Sequence, residues 1–280
     1  MKLYTIPTGY FKLDGGAMFG VVPKTIWQKI NPPDANNLCT WAMRCLLVEH
    51  ENRLVLIDTG LGNKQSEKFF SYYEPHGEDS LLGSLKKLGF TPNDITDVFL
   101  THLHFDHCGG AVIRMNDEKL VPQFPHAVYW TNKAHWQHAI TPNAREKASF
   151  LKENFMPLEA AGQLQFLEEG QSLFDGFSFT SVFGHTEAMM LPVIEYQARK
   201  VIYCADLLPS AGHLPVPYVM AYDIRPLDSL QEKASFLAKA QADDAILFFE
   251  HDPNIACCTL QATEKGIRIR DTFGLEEMFS

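Results

Sequence analysis

The chain predicts an α/β fold in which two β-sheets pack together with helices on their outer faces. Three observations carry that expectation. Short apolar runs of strand length come in two groups, one in each half of the 280 residues. Helical patterning follows each group. Candidate metal ligands stand directly after apolar runs in both halves, which puts the expected site in the crevice between them.

The first half opens on Met1–Pro7 and turns at Thr8 and Gly9. Residues 39–49 and 53–57 then read as strands joined by a turn at His50, Glu51 and Asn52. Helices are expected over 65–73 and 80–88, the second closed by Gly89. Residues 97–101 form a short buried strand. In the second half, 177–183, 191–196 and 201–205 read as strands, 229–242 as a helix, and 245–249 as a strand. No linker or short-period repeat interrupts the chain. The expectation is therefore one domain over residues 1–280, with two pseudo-symmetric halves of roughly 1–160 and 161–280.

Composition narrows the function class. The chain is 46% hydrophobic and 21% charged, ordinary for a globular protein. A formal charge of −10 disfavours a nucleic-acid backbone or an anionic membrane as partner and favours a small molecule. No stretch approaches the roughly 20 apolar residues of a membrane span. The N-terminus lacks the apolar run and cleavage site of an export signal, so the expected compartment is the cytoplasm. The six cysteines are scattered, with one adjacent pair and no C-x-x-C. They read as small apolar residues in a reducing compartment.

Chemistry concentrates at His102-Leu103-His104-Phe105-Asp106-His107-Cys108-Gly109-Gly110. Alternate residues of an extended chain point the same way, so His102 and His104 grip one ion. A turn after Phe105 redirects Asp106 and His107 toward a second ion, and Gly109 and Gly110 allow the backbone to turn sharply.

This motif resembles the signature of the metallo-β-lactamase superfamily, whose fold is a four-layer αββα sandwich. Further segments resemble its remaining elements: Asp58-Thr59-Gly60, Gly184-His185-Thr186, Asp206 after a strand, and His251 after the last strand of the second half. The resemblance implies one divalent cation on His102, His104 and His185, a second on Asp106, His107 and His251, and Asp206 bridging both. It implies that Asp58 orients a histidine through its free ring nitrogen. Nitrogen and oxygen ligands favour zinc, with manganese, iron and cobalt left open. Such a pair leaves room for a bridging water that serves as hydroxide near neutral pH, with Asp106 relaying a proton.

The segment Asp14–Lys24 with Trp27, together with Leu56–Lys64, is similar to the branch holding N-acyl-homoserine lactonases and, more distantly, methyl parathion hydrolases. The expected activity is lactone opening, with promiscuous attack on esters and phosphotriesters. Met18, Phe19 and Trp27 are candidates for an apolar lid over an acyl chain, and Phe105 for a pocket wall. Where some such lactonases carry a tyrosine after the bridging aspartate, this chain has Pro209; Tyr222 or His213 are the candidate substitutes. The stretch Gly184–Met190 also departs from the usual Gly-His-Thr-x-Gly-His. Homodimerisation through the N-terminal segment is implied by the resemblance alone. The competing readings are a glyoxalase II type thioesterase, a phosphotriesterase, and a metal-dependent binding protein without turnover.

Overall fold

The computed structural model describes residues 1–278. Its first strand, β1 (Lys2–Asp14), runs straight through the turn expected at Thr8 and Gly9. Gly9 takes φ +103, a conformation that bends the strand without ending it. Thr8 Oγ1 donates to the Met43 carbonyl at 2.7 Å, which holds the segment in place.

β2 (Leu38–His50) and β3 (Arg53–Ile57) form an antiparallel hairpin registered from His50 opposite Arg53 to Leu46 opposite Ile57. Their turn is confined to Glu51 and Asn52, with Glu51 at φ +53. β4 (Asp97–Phe99) stops two residues short of expectation. The reason is a competing partner: the Thr101 N–H and hydroxyl donate to the Asp58 carboxylate at 2.8 and 2.7 Å, which turns the chain out of the sheet. β5 (Val112–Arg114) and β6 (Leu120–Pro122) make a small antiparallel pair, followed by β7 (Val128–Asn132) and β8 (Leu164–Leu167). The first sheet has the order β1-β2-β3-β4-β7-β8. The pairings of β3 with β4, β4 with β7, and β7 with β8 are parallel.

The second sheet, ordered β14-β13-β12-β11-β10-β9, comprises β9 (Phe177–Val182), β10 (Met189–Tyr196), β11 (Arg199–Tyr203), β12 (Ile246–Phe248), β13 (Cys257–Thr263) and β14 (Gly266–Phe273). The helix Pro226–Ala242 begins three residues earlier than patterning suggested, because Pro226 occupies its first turn with φ already set. The helix Leu81–Lys87 is capped by Ser80, whose side chain accepts from Gly83 N at 3.2 Å. The fold class is the expected one, α/β with two mixed sheets.

By internal contacts the chain divides into two compact units: residues 1–9, 43–72 and 76–171, and residues 10–42, 73–75 and 172–280. The first has an apolar core that includes Leu47, Leu56, Val98, Leu100, Tyr129 and Phe155. The second is built around Ile202, Leu208, Leu237, Leu247, Phe249 and Leu260.

Strand direction decides where the candidate site residues emerge. β3 and β4 run parallel, so Asp58 and the segment from Thr101 leave the sheet at one edge. In the second unit β10 is antiparallel to both β9 and β11, and β11 is parallel to β12. β9, β11 and β12 therefore end at a common edge. His185, Asp206 and His251 follow those three strands.

Candidate metal centre

In the first unit, the motif histidines begin on extended backbone and then enter a one-turn helix. His104 caps the helix Phe105–Cys108 at φ −65 and ψ 153, and the helix carries Asp106 and His107. The rings of His102 and His104 lie 4.6 Å apart, and those of His102 and His107 lie 3.9 Å apart. All four side chains are buried. Candidate ligand atoms of His102 and His104 stand within 4.8 Å of one another, as do those of Asp106 and His107.

Asp58 governs two of these rings. It is fully buried and takes φ +58, a left-handed conformation that Asp tolerates. Its Oδ2 is 3.1 Å from His107 Nδ1 and accepts the Thr101 hydroxyl at 2.7 Å. A carboxylate only accepts, so His107 carries its hydrogen on Nδ1. The Thr101 hydroxyl has spent its hydrogen on Asp58, so at 3.1 Å it accepts from His102 Nδ1. Both rings are left with a lone pair on Nε2, the state a metal requires. Leu103, between the two histidines, donates its N–H to His135 Nε2 at 2.8 Å. His104 Nε2 stands 3.6 Å from Glu146, which is held in turn by His138 at 2.5 Å and Asn143 at 2.7 Å.

Gly109 does not turn the backbone sharply as its position in the motif suggested. Its φ of −60 and ψ of −38 are ordinary helical values. Glycine is required there for close approach: a Cβ would stand 2.0 Å from Leu61 O, and at Gly110 it would stand 2.3 Å from Thr59 O. These contacts press the histidine motif onto the turn at Thr59, Gly60 and Leu61.

In the second unit, Asp206 presents one carboxylate oxygen to each of two histidines. Oδ2 is 3.1 Å from His185 Nε2, and Oδ1 is 3.2 Å from His251 Nε2. The far side of each ring is occupied. His185 Nδ1 donates to Asp223 Oδ1 at 2.9 Å, and His251 Nδ1 donates to the Ala42 carbonyl at 2.8 Å. With hydrogen on Nδ1, each Nε2 faces a carboxylate oxygen, a contact that calls for positive charge: a second ring hydrogen on Nε2, or a metal ion in its place. Burial alone would lower the His185 pKa, yet Asp206 and Asp223 outweigh it and push it up to about 10. The field favours a cation, and imidazole nitrogen with carboxylate oxygen is a donor set suited to zinc. The residues therefore fit a divalent metal.

Cys108 and Cys204 do not offer a nucleophile. Burial pushes the Cys108 thiol up to about 12, and it lies 3.3 Å from the Leu103 carbonyl. Cys204 is raised well above its usual range by the same cause.

Met18, Phe19 and Trp27 are packed inside the second unit at 1%, 0% and 2% exposure. Phe19 stacks between Trp27 at 5.6 Å and His213 at 4.5 Å. His213 accepts from or donates to Ser210 Oγ at 2.7 Å through Nδ1 and meets the Met18 carbonyl at 2.9 Å through Nε2. A carbonyl only accepts, so Nε2 carries the hydrogen and Nδ1 accepts from the serine. Burial depresses the His213 pKa to about 3 and keeps the ring neutral. Tyr222 is exposed, and Phe105 is buried with an edge-on contact to Phe69 at 5.3 Å. Sequence reading missed Thr101 and Asp223 as partners of the histidines. Asp223 stands next to Tyr222, but only its position opposite His185 singles it out.

The "Metallo-beta-lactamase superfamily" model matches residues 44–251. N-acyl homoserine lactonase from Bacillus cereus is 27% identical over 156 residues, 52% of this chain and 58% of that protein. The aligned stretch thus spans little more than half the length of these lactonases. A probable metallo-hydrolase of Mycobacterium tuberculosis is 24% identical over 85% of this chain and 86% of its own. Among solved structures, a probable metal-dependent hydrolase from Staphylococcus aureus superposes with a TM-score of 0.89 at 27% identity, covering 97% of this chain and 96% of that one. AidC, a dizinc quorum-quenching lactonase in complex with a product, shares the fold with a TM-score of 0.78 at 24% identity, covering 97% and 95%. With the family pattern matched over well more than half of its residues and the ligand-type side chains at its strand ends, the chain belongs to the metallo-β-lactamase superfamily.

Proposed function

We propose that this protein is a hydrolase that opens lactone rings of the N-acyl-homoserine type with a pair of divalent cations, zinc in the first instance. In this reading His102, His104 and His185 would hold one cation, Asp106, His107 and His251 would hold the other, and Asp206 would serve both. The observation that carries it is Asp206, with one oxygen on each of His185 and His251. When bound, the pair supplies a Lewis acid for the substrate carbonyl and lowers the pKa of water toward neutrality.

The chain supplies the rest. Asp58, Thr101, Asp223 and the Ala42 carbonyl hold the ring hydrogens on Nδ1. Asp106 takes the proton of the attacking water and returns it to the leaving alkoxide, with Asp58 holding the neighbouring His107. Phe105 forms a pocket wall. The lactone class is supported by the lactonases among the curated relatives. Zinc is supported by the donor set and by the dizinc neighbour. Six buried free cysteines support a reducing compartment, and no helix among the described residues is long and apolar enough to cross a membrane.

The test pairs two measurements on zinc-loaded protein: metal content, and proton release from short- and long-chain acyl-homoserine lactones. The expected result is two metals per chain and chelator-sensitive ring opening. Asp206→Asn should lower both occupancies, and His104→Ala should abolish turnover. Two bound metals in Asp206→Asn would overturn bridging. Metal-loaded protein that leaves every lactone intact would overturn the substrate class.

A further inference from the structure

Behind Asp206 in the second unit lies a small cavity of about 10 Å3, close to the space one water needs. Its polar walls are Asp206, His213, Asp223, Ser229 and Lys233. Ser229 and Lys233 stand four residues apart on the helix Pro226–Ala242 and so share a face. Ser229 Oγ is buried and has no hydrogen-bond partner among the described residues. Lys233 is 2% exposed, and its ammonium donates to the carbonyls of His213 at 3.0 Å and Tyr218 at 2.6 Å. An ammonium has three hydrogens to give, so one remains.

A buried cation with only carbonyl partners needs a nearby anion, and the two carboxylates of the cavity wall are the candidates. A buried hydroxyl without a partner costs roughly 1–3 kcal/mol, so a site that satisfies it is favoured. One molecule meets both needs. We infer that a single water occupies this cavity, accepting from Lys233 Nζ and Ser229 Oγ and donating to the carboxylates of Asp223 and Asp206. Lys233 is then the counter-cation of the Asp223–His185 pair and a positioning residue for the candidate metal ligand His185. Burial pulls the Lys233 pKa down to about 8 while Asp223 opposes that fall, as a charge facing Asp223 should behave. The effect on metal rests on the metal assignment proposed above; the water site itself does not.

The test combines a high-resolution crystal structure of the full chain with cobalt spectroscopy and zinc competition on the wild type, Ser229→Ala and Lys233→Met. Wild-type density should show one water within hydrogen-bond distance of Ser229 Oγ, Lys233 Nζ and Asp223. Lys233→Met should lose that water, alter the visible spectrum of the cobalt-loaded protein and weaken zinc binding by about tenfold. Ser229→Ala, which leaves the ammonium in place, should give a smaller change in the same direction. Urea unfolding run alongside separates these effects from a loss of stability, which by itself leaves the cobalt spectrum unmoved. A dry cavity in the wild type would overturn the proposal, as would an unaltered cobalt spectrum and zinc affinity in folded Lys233→Met. Protein that holds the water but binds neither zinc nor cobalt would instead overturn the metal assignment.

Discussion

Asp58→Asn is the perturbation with the most legible consequence, because one side chain fixes the hydrogen positions of two rings. Asparagine suits φ +58, whereas alanine would add about 1–2 kcal/mol of left-handed strain. In the variant the amide oxygen keeps the Thr101 N–H at 2.8 Å. The amide nitrogen takes the place of Oδ2, facing the Thr101 hydroxyl and His107 Nδ1, which were both donors. The hydroxyl adapts by accepting from the amide and turning its hydrogen toward His102 Nδ1, 3.1 Å away. His102 must then carry its hydrogen on Nε2. His107, which now faces a donor, must do the same. Both nitrogens assigned to metal become occupied. Hydrogen bonds to a charged acceptor contribute roughly 1.5–3 kcal/mol each, and the variant weakens two while regaining part through the amide, so stability should fall by about 2–4 kcal/mol. Loss of such a ring partner costs about 10- to 100-fold in metal affinity, or about 1.4–2.7 kcal/mol. Zinc competition against a chromophoric chelator reads the affinity, and urea unfolding of the metal-free protein reads the stability. Wild-type zinc affinity in a folded Asp58→Asn protein would refute the reasoning.

Two further outcomes follow from packing and charge. Gly184→Ala should destabilise the protein by about 1–3 kcal/mol, because the new Cβ would stand 2.3 Å from the backbone nitrogen of Ser229 and rigid backbone cannot yield; an unchanged urea midpoint would contradict that clash. His213 contributes a pH dependence of definite sign. Its folded pKa, about 3, lies below the unfolded value of about 6.5, so only the unfolded chain gains a proton between them and stability falls as the solution is acidified below pH 6.5. At pH 4.5 this amounts to about 2–3 kcal/mol. His213→Gln should show a shallower fall over the same range, and an identical slope would rule out the assignment.

Much of the second sheet and the β2–β3 hairpin was legible because the apolar runs are short, rich in β-branched and aromatic residues, and bounded by polar turns. β1 was not, because Pro7 and Gly9 mimic a turn and its burial alternates irregularly. Helix 226–242 was foreshortened for a related reason: its first turn, Pro226-Leu227-Asp228, carries no side-chain cap and leaves Leu227 exposed.

At the site the division is sharper. The local order His102-Leu103-His104-Phe105-Asp106-His107, and the solitary His185, Asp206 and His251 after apolar runs, were determined by sequence alone, because each of the last three stands three residues beyond the end of its strand. What the tertiary structure decided was the state of those side chains. Asp58 reaches His107 across 49 residues, Asp223 reaches His185 across 38, and Ala42 reaches His251 across 209. The burial of Met18 and Phe19 against His213, 195 residues from Met18, and of Trp27 against Phe19, was decided in the same way. No local pattern encodes such pairs. They arise only when parallel strands and packed helices bring distant segments within 3.1 Å, and it is there that the hydrogen on each ring is set.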